Sequence, residues 1–177
     1  MASIFRDKDR PGINQGDIYK YTPIIWLDPP LVIVRDVALS LEGTVQLRHW
    51  SSLRDAAFNN DIDNQEYILA KGKVRYLIVL STNIEIRNAS SQYLLVAPLY
   101  SIPRWFTSGQ ISLLQTQELP NHFYVPRDDE SDLREGVLKT THIQRLNREF
   151  LEEEQDTERS LTRRWVDAII QWYKDSL

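Results

Sequence analysis

The sequence predicts a mainly β (α+β) protein: a small, bent antiparallel sheet or barrel with a C-terminal amphipathic helix. Three observations carry this expectation. Short runs of β-branched, aliphatic and aromatic residues recur through residues 16–146, separated by Pro, Gly, Asn and Asp. After residue 150 the apolar period changes: Leu161, Trp165, Ala168, Ile169, Trp172 and Tyr173 recur at three and four. The 177 residues, 42% hydrophobic and 26% charged, have globular composition and enough length for a single domain with its own core.

Taken in order, residues 1–15 read as a polar lead-in ending in the turn signal Pro11-Gly12. "GDIYKYTPIIWL" (16–27) is β-rich, with Pro23 marking an edge, a bulge or a break. "LDPP" stops it and "LVIVRDV" (31–37) resumes the β signal. "GTVQLRHW" (43–50) alternates partly, "SSLRDAAF" (51–58) opens with a serine suited to capping a short helix, and "DIDN" (61–64) is a turn. "EYILAKGKVRYLIVLS" holds one strand, or a hairpin folded at Lys71-Gly72. "QYLLVAPLYS" (92–101), "HFYVP" (122–126) and "GVLKTTHIQRL" (136–146) complete the strands. The final helix takes Thr157 or Ser160 as its cap. The expected organisation is therefore a lead-in, a β-rich core over 16–146 with an insertion near 31–70, and a helical part over 147–177.

Composition narrows the chemistry. The absence of Cys excludes disulfides, thiolate metal sites and cysteine nucleophiles. The formal net charge of −4 gives no general attraction to nucleic acid, so any anion site must be local. Apolar runs stop short of the ~18 residues of a membrane span. "MASIFRDKDRPG" lacks the apolar region of a signal peptide, so a cytoplasmic location is expected, with no membrane partner. No phosphate-binding glycine loop and no metal-ligand spacing occurs, and neither cofactor nor metal is expected.

The candidate residues each carry two readings. His49, His122 and His142 are far apart, and each alone fits a structural or surface role more readily than catalysis. "DDESD" (128–132) lacks the alternation and turn glycine of a calcium loop and reads as a solvated acidic loop. "EEEQDTE" (152–158) reads the same way and also suits a helix N-terminus. Trp165, Trp172 and Tyr173 fit core or interface packing better than base stacking. "KGKVRYLIVLSTN" (71–83) is the sharpest case. Lys71, Lys73 and Arg75 either bind phosphate or keep a strand entrance soluble, and Lys73 shares the Arg75 face of an ideal strand.

Four elements then occur in a recognisable order: "GDIY" (16–19) with "WLDPP" (26–30), "KVRYLIVLSTN" (73–83), "YLLVAPLYS" (93–101) and "GVLKTTHIQRLNREFL" (136–151). Their order resembles the MazF/PemK/Kid family of toxin ribonucleases. The resemblance implies a sheet of the MazF/PemK/CcdB type, a homodimer, a groove for single-stranded RNA and a small antitoxin protein as partner. It also implies metal-independent cleavage by attack of the 2′-hydroxyl on the adjacent phosphorus. That chemistry needs a base, an acid and cations around the developing charge. Mapped onto this chain, the catalytic positions are Arg75, the phosphate cation, His142, a substitute base or acid, and Ser101, the serine of the Pro-Leu-Thr-Ser element. Lys73, Tyr100, Lys139 and Thr141 become substrate-binding positions.

The chain departs from the family at defined places. Arg-Pro becomes Arg75-Tyr76, and the family threonine becomes Tyr100. An Arg-x-Asp pair becomes Lys139 and Thr141, and roughly 40 residues separate "LDPP" from "KGKVRY". Two functions are compatible with this pattern: an endoribonuclease, or a non-catalytic relative that binds nucleic acid or protein. A gyrase-directed toxin of the CcdB type is a third, but "IIQWYKDSL" does not match the Trp-Gly-Ile ending of that branch.

Overall fold

The computed structural model describes residues 4–26, 32–34, 67–69, 71–152 and 156–177. Among these the architecture is α+β, dominated by antiparallel sheet. The strands are β1 (Phe5–Asp7), β2 (Asp17–Trp26), β3 (Val32–Val34), β4 (Tyr67–Leu69) and β5 (Lys71–Val79). They continue as β6 (Tyr93–Leu99), β7 (His122–Val125), β8 (Gly136–Lys139), β9 (Gln144–Asn147) and β10 (Asp156–Leu161). The helices are α1 (Asn83–Arg87), α2 (Ser108–Gln115), α3 (Glu149–Glu152) and α4 (Arg163–Asp175), with a 3₁₀ turn at Thr140–His142.

The chain forms two compact units. Ile24–Lys73 is the smaller, and its described part contains an antiparallel pair in which Val32 faces Leu69 and Val34 faces Tyr67. The strand expected over 43–50, the helix over 51–58, the turn at 61–64 and His49 lie outside the described residues.

Met1–Pro23 and Val74–Leu177 form the larger unit. The six-stranded sheet runs β1-β10-β2-β5-β6-β9. Its centre is legible in the residues: Leu77, Ile78, Val79 and Leu80 are all buried, as expected of a strand covered on both faces. Ile78 and Leu80 join a core with Ala97 and Leu99 of β6 and with Val166 and Ile169 of α4. β5 continues through Gly72, so the Lys71-Gly72 hairpin is not formed. The terminal helix matches the expected stripe in part: Ile169 is buried with Val166, and Trp165, Trp172 and Tyr173 are half-buried, but Ala168 is exposed and Leu161 belongs to β10. Trp165 and Trp172 both meet the ring of Phe123, at 5.8 and 5.5 Å between centroids.

Three stretches differ from expectation. The strand expected over 136–146 is two: β8 pairs with β7 in a separate two-stranded sheet, β9 edges the six-stranded sheet, and the 3₁₀ turn lies between them. The polar lead-in contains β1, because Phe5 is buried opposite Leu161. Within 147–177, residues 156–161 form β10 rather than helix, because they pair with β1 on one side and β2 on the other. Ser160 is consequently no helix cap: it is buried and its hydroxyl donates to the Asp17 carboxylate, while Thr162 takes the N-cap position of α4. Asp17 also pairs with Lys8 at 3.2 Å and accepts the Asn14 amide at 2.8 Å. The adjoining Gly16 has φ +90°, and a Cβ there would lie 2.9 Å from the Val166 side chain. "GDIY" is thus a structural junction, where β2, β10 and α4 approach within a distance that only glycine permits.

The acidic segment 128–132 is not uniformly solvated either. Asp128 is 4% exposed and receives two hydrogen bonds from the buried Arg159 guanidinium, at 2.9 and 3.2 Å. Asp7 and Glu130 complete the pairing of Arg159 at 2.5 and 2.8 Å. Burial by itself raises the Asp128 carboxyl, but hydrogen bonds from Arg159, Ser131 and the Glu130 backbone, with the Arg159 charge, hold it below its ordinary value.

Asp128→Ala should therefore cost about 3 kcal/mol in denaturant unfolding, the lower part of the range for breaking one side of a buried pair, since Asp7 and Glu130 still face Arg159. A carboxyl depressed in the folded state contributes fully above its unfolded value of about 3.9 and less as pH falls through its folded value. The stability gap between parent and variant should accordingly be constant near neutrality and close only below the usual carboxylate range.

Candidate functional site

β5 and β6 pair antiparallel with Tyr76 opposite Leu99 and Leu77 opposite Pro98. Continuing that register by one residue sets Arg75 opposite Tyr100, just where both strands emerge from the core. The side chains meet: the Arg75 guanidinium lies 5.3 Å from the centre of the Tyr100 ring, within cation–π range. The Arg75 Nε is buried and has no hydrogen-bond partner among the described residues. A buried guanidinium donor of this kind suits an anionic acceptor.

Tyr100 is fixed by its backbone. Its amide donates to the Val137 carbonyl at 3.0 Å and its carbonyl accepts from the Val137 amide at 2.8 Å, joining the end of β6 to β8. Gly136 makes the approach possible, since a Cβ there would stand 2.6 Å from the Tyr100 carbonyl oxygen and 2.9 Å from the Leu99 side chain. The bridge carries Lys139 and the following 3₁₀ turn to the same ring. Lys139 Nζ lies 5.4 Å from the Tyr100 centroid, and the His142 ring lies 5.0 Å away at a tilt of 58°. Three residues from two separate parts of the sequence therefore converge on Tyr100.

A cleft of about 440 Å³ opens beside this cluster. Arg75, Tyr100 and Ser101 line one part of it, and Asp132, Arg134 and Glu135 line another. Lys139 and His142 touch Tyr100 but are not among the lining residues. Thr141 is exposed on the 3₁₀ turn and does not line the cleft. Lys73 lies on β5, and its side chain is outside the described part. Among the described residues no group of three His, Asp or Glu side chains is placed to hold a metal ion.

Asp132 of the acidic loop and Glu135, just beyond it, thus line the same cleft as Arg75. The loop is drawn inward at Asp128 by Arg159 and returns to β6 through Gly136, so its far half becomes a wall of the cleft. Asp132 is partly compensated by Lys20 at 3.4 Å. Sequence reasoning missed Asp132, Arg134, Glu135 and Gly136. The available signal was a glycine immediately before an apolar strand, which marks close backbone approach.

No protein family and no curated protein matches the chain. Among the described residues no helix is long and apolar enough to cross a membrane.

Gly136→Ala tests the geometry directly. The added Cβ must push against a backbone oxygen, so the variant should lose about 1–3 kcal/mol of unfolding stability, the range for overpacking. The backbone amide of Tyr100 should also exchange hydrogen faster than in the parent, because the Tyr100–Val137 bridge is displaced.

Proposed function

We propose that this chain is a divergent MazF/PemK-like endoribonuclease that holds single-stranded RNA in the Arg75 cleft and cuts it slowly without metal. The observation that carries the reading is the convergence of Arg75, Lys139 and His142 on Tyr100. These are the residue types that in-line attack on a phosphodiester requires, gathered at the site to which the motif order assigns them. In the reaction the 2′-oxygen bonds to phosphorus as the bond from phosphorus to the 5′-oxygen breaks. The products are a 2′,3′-cyclic phosphate and a 5′-hydroxyl. Arg75 stabilises the phosphorane charge, and His142 removes the 2′-hydroxyl proton or returns one to the departing oxygen. Ser101 lines the cleft as a further hydrogen-bonding group.

Tyr100 accounts for the slow rate. Its ring is the contact shared by Arg75, which lines the cleft, and by Lys139 and His142, which do not. A bulky side chain therefore stands where the family places a small hydroxyl. The same reading makes the protein a cytoplasmic homodimer with a small antitoxin protein as partner. A second reading, an RNA-binding relative without cleavage, is favoured by the carboxylates of Asp132 and Glu135 beside the cleft.

Incubation with long single-stranded RNA in a metal chelator, with mapping of product ends, separates the two. Slow cleavage to cyclic-phosphate ends is expected in the parent and faster cleavage in Tyr100→Thr. Arg75→Ala should lower turnover by about 10²–10³ with a smaller effect on binding. His142→Ala should lower it by about 10²–10⁴. If neither the parent nor Tyr100→Thr cuts RNA, the catalytic reading fails. Salt-dependent binding whose slope falls by about 0.7 in Arg75→Ala, one phosphate contact on a single strand, would then support the binding module.

A further inference from the structure

The cleft contains a feature that phosphate binding does not explain. Glu135 lines it together with Arg75, although a carboxylate beside a phosphate is repulsive. Its neighbour Asp132 is paired with Lys20, but Glu135 is held differently: its Oε2 accepts from the Tyr124 hydroxyl at 2.8 Å. Tyr124 is itself braced, its backbone amide donating to Gln117 Oε1 and its carbonyl accepting from Gln117 Nε2, both at 2.9 Å. Burial, then the hydrogen bond to Glu135 and its charge, push the Tyr124 hydroxyl up to about 12. The phenol therefore stays a donor throughout the neutral range. Glu135 is a fixed negative acceptor in a site whose other charged groups include Arg75 and Arg134.

We infer that Glu135 selects the base of the bound nucleotide, accepting a hydrogen bond from an exocyclic amino group while Arg75 holds the adjoining phosphate. This deepens the RNA-binding reading and rests on it. The chemistry favours cytosine, adenine and guanine, whose amino groups donate to a carboxylate. Uracil has no amino group, and its one edge donor, N3–H, is flanked by two carbonyl oxygens that the same charge repels. The cleft, at about 440 Å³, lies within the range of small-ligand sites, so one nucleotide is the unit it reads. Tyr124 is a positioning residue: it touches Glu135 and acts on the base only through it.

The test uses the full chain and short single-stranded 2′-O-methyl oligocytidylate, oligoadenylate and oligouridylate of equal length, so that binding is read without cleavage. The parent should bind oligocytidylate and oligoadenylate about tenfold or more tighter than oligouridylate. Glu135→Gln should level the series, chiefly by strengthening oligouridylate, because a negative charge near phosphate is removed. Tyr124→Phe should narrow the preference and leave oligouridylate affinity unchanged, and it decides the matter if Glu135→Gln folds poorly. Equal affinity for all three in the parent overturns the inference while leaving RNA binding intact. So does a preference that survives both substitutions. An absence of salt-dependent binding to any of the three overturns the inference together with the reading beneath it.

Discussion

A guanidinium taken out of water must be paired, and the cost of leaving it unpaired is several kcal/mol. Arg159 imposes that constraint here. It projects from β10, is 7% exposed, and draws Asp128 into the interior with a two-point contact. The segment after Asp128 cannot then swing into solvent as its composition suggests. It is held at its start by Arg159 and at its end by the close passage of Gly136 over Tyr100. Between those two points lie Asp132, Arg134 and Glu135, and the cleft exists because the segment is fixed at both ends. The site residues on β5 and just after β6 are placed by the sheet, whereas those opposite are placed by one buried ion pair and one close backbone passage.

The charge pattern of the cleft follows from this construction. A chain of net charge −4 gains little from long-range attraction to a polyanion. What it offers is a short-range contrast, with the buried donor of Arg75 in one part and carboxylates in another. Such a surface favours a ligand that carries negative charge and hydrogen-bond donors a few ångströms apart. A plain polyanion meets repulsion as well as attraction, and a neutral ligand wastes the desolvated guanidinium donor. The contrast therefore trades affinity for discrimination.

How much of this could be read from the residues depended on whether the deciding interaction was local. β5 and β6 were legible because the consecutive buried residues Leu77–Leu80, at the end of β5 and just after it, and the run Leu94–Leu99 in β6, allow few alternatives. α4 was legible because its stripe repeats over three turns. Arg75 and Tyr100 could be singled out separately, and strand register then brought them together. Lys139 and His142 reached the same ring through a bridge that no short window of sequence contains. β1 and β10 were missed for the converse reason. Each is short and largely polar, and each is a strand because of distant neighbours: β1 lies beside β10, and β10 lies between β1 and β2. Asp128 was misread because its partner is 31 positions away, and "DDESD" by itself has no feature that separates the buried acid from the exposed ones.

The pairing of β1 with β10 has a consequence for how the protein is made. Phe5 lies against Leu161, and the Arg6 side chain reaches the Leu161 carbonyl across 155 positions of sequence. Contacts so distant along the chain form late, since the intervening segment must first be ordered. During synthesis β5 and β6 leave the ribosome well before β10, which carries Arg159. Until then Asp128 has no buried partner and the second wall of the cleft has no anchor. A nascent chain would thus hold its central hairpin and expose no finished cleft, so that the site matures in one step when residues 156–161 leave the exit tunnel.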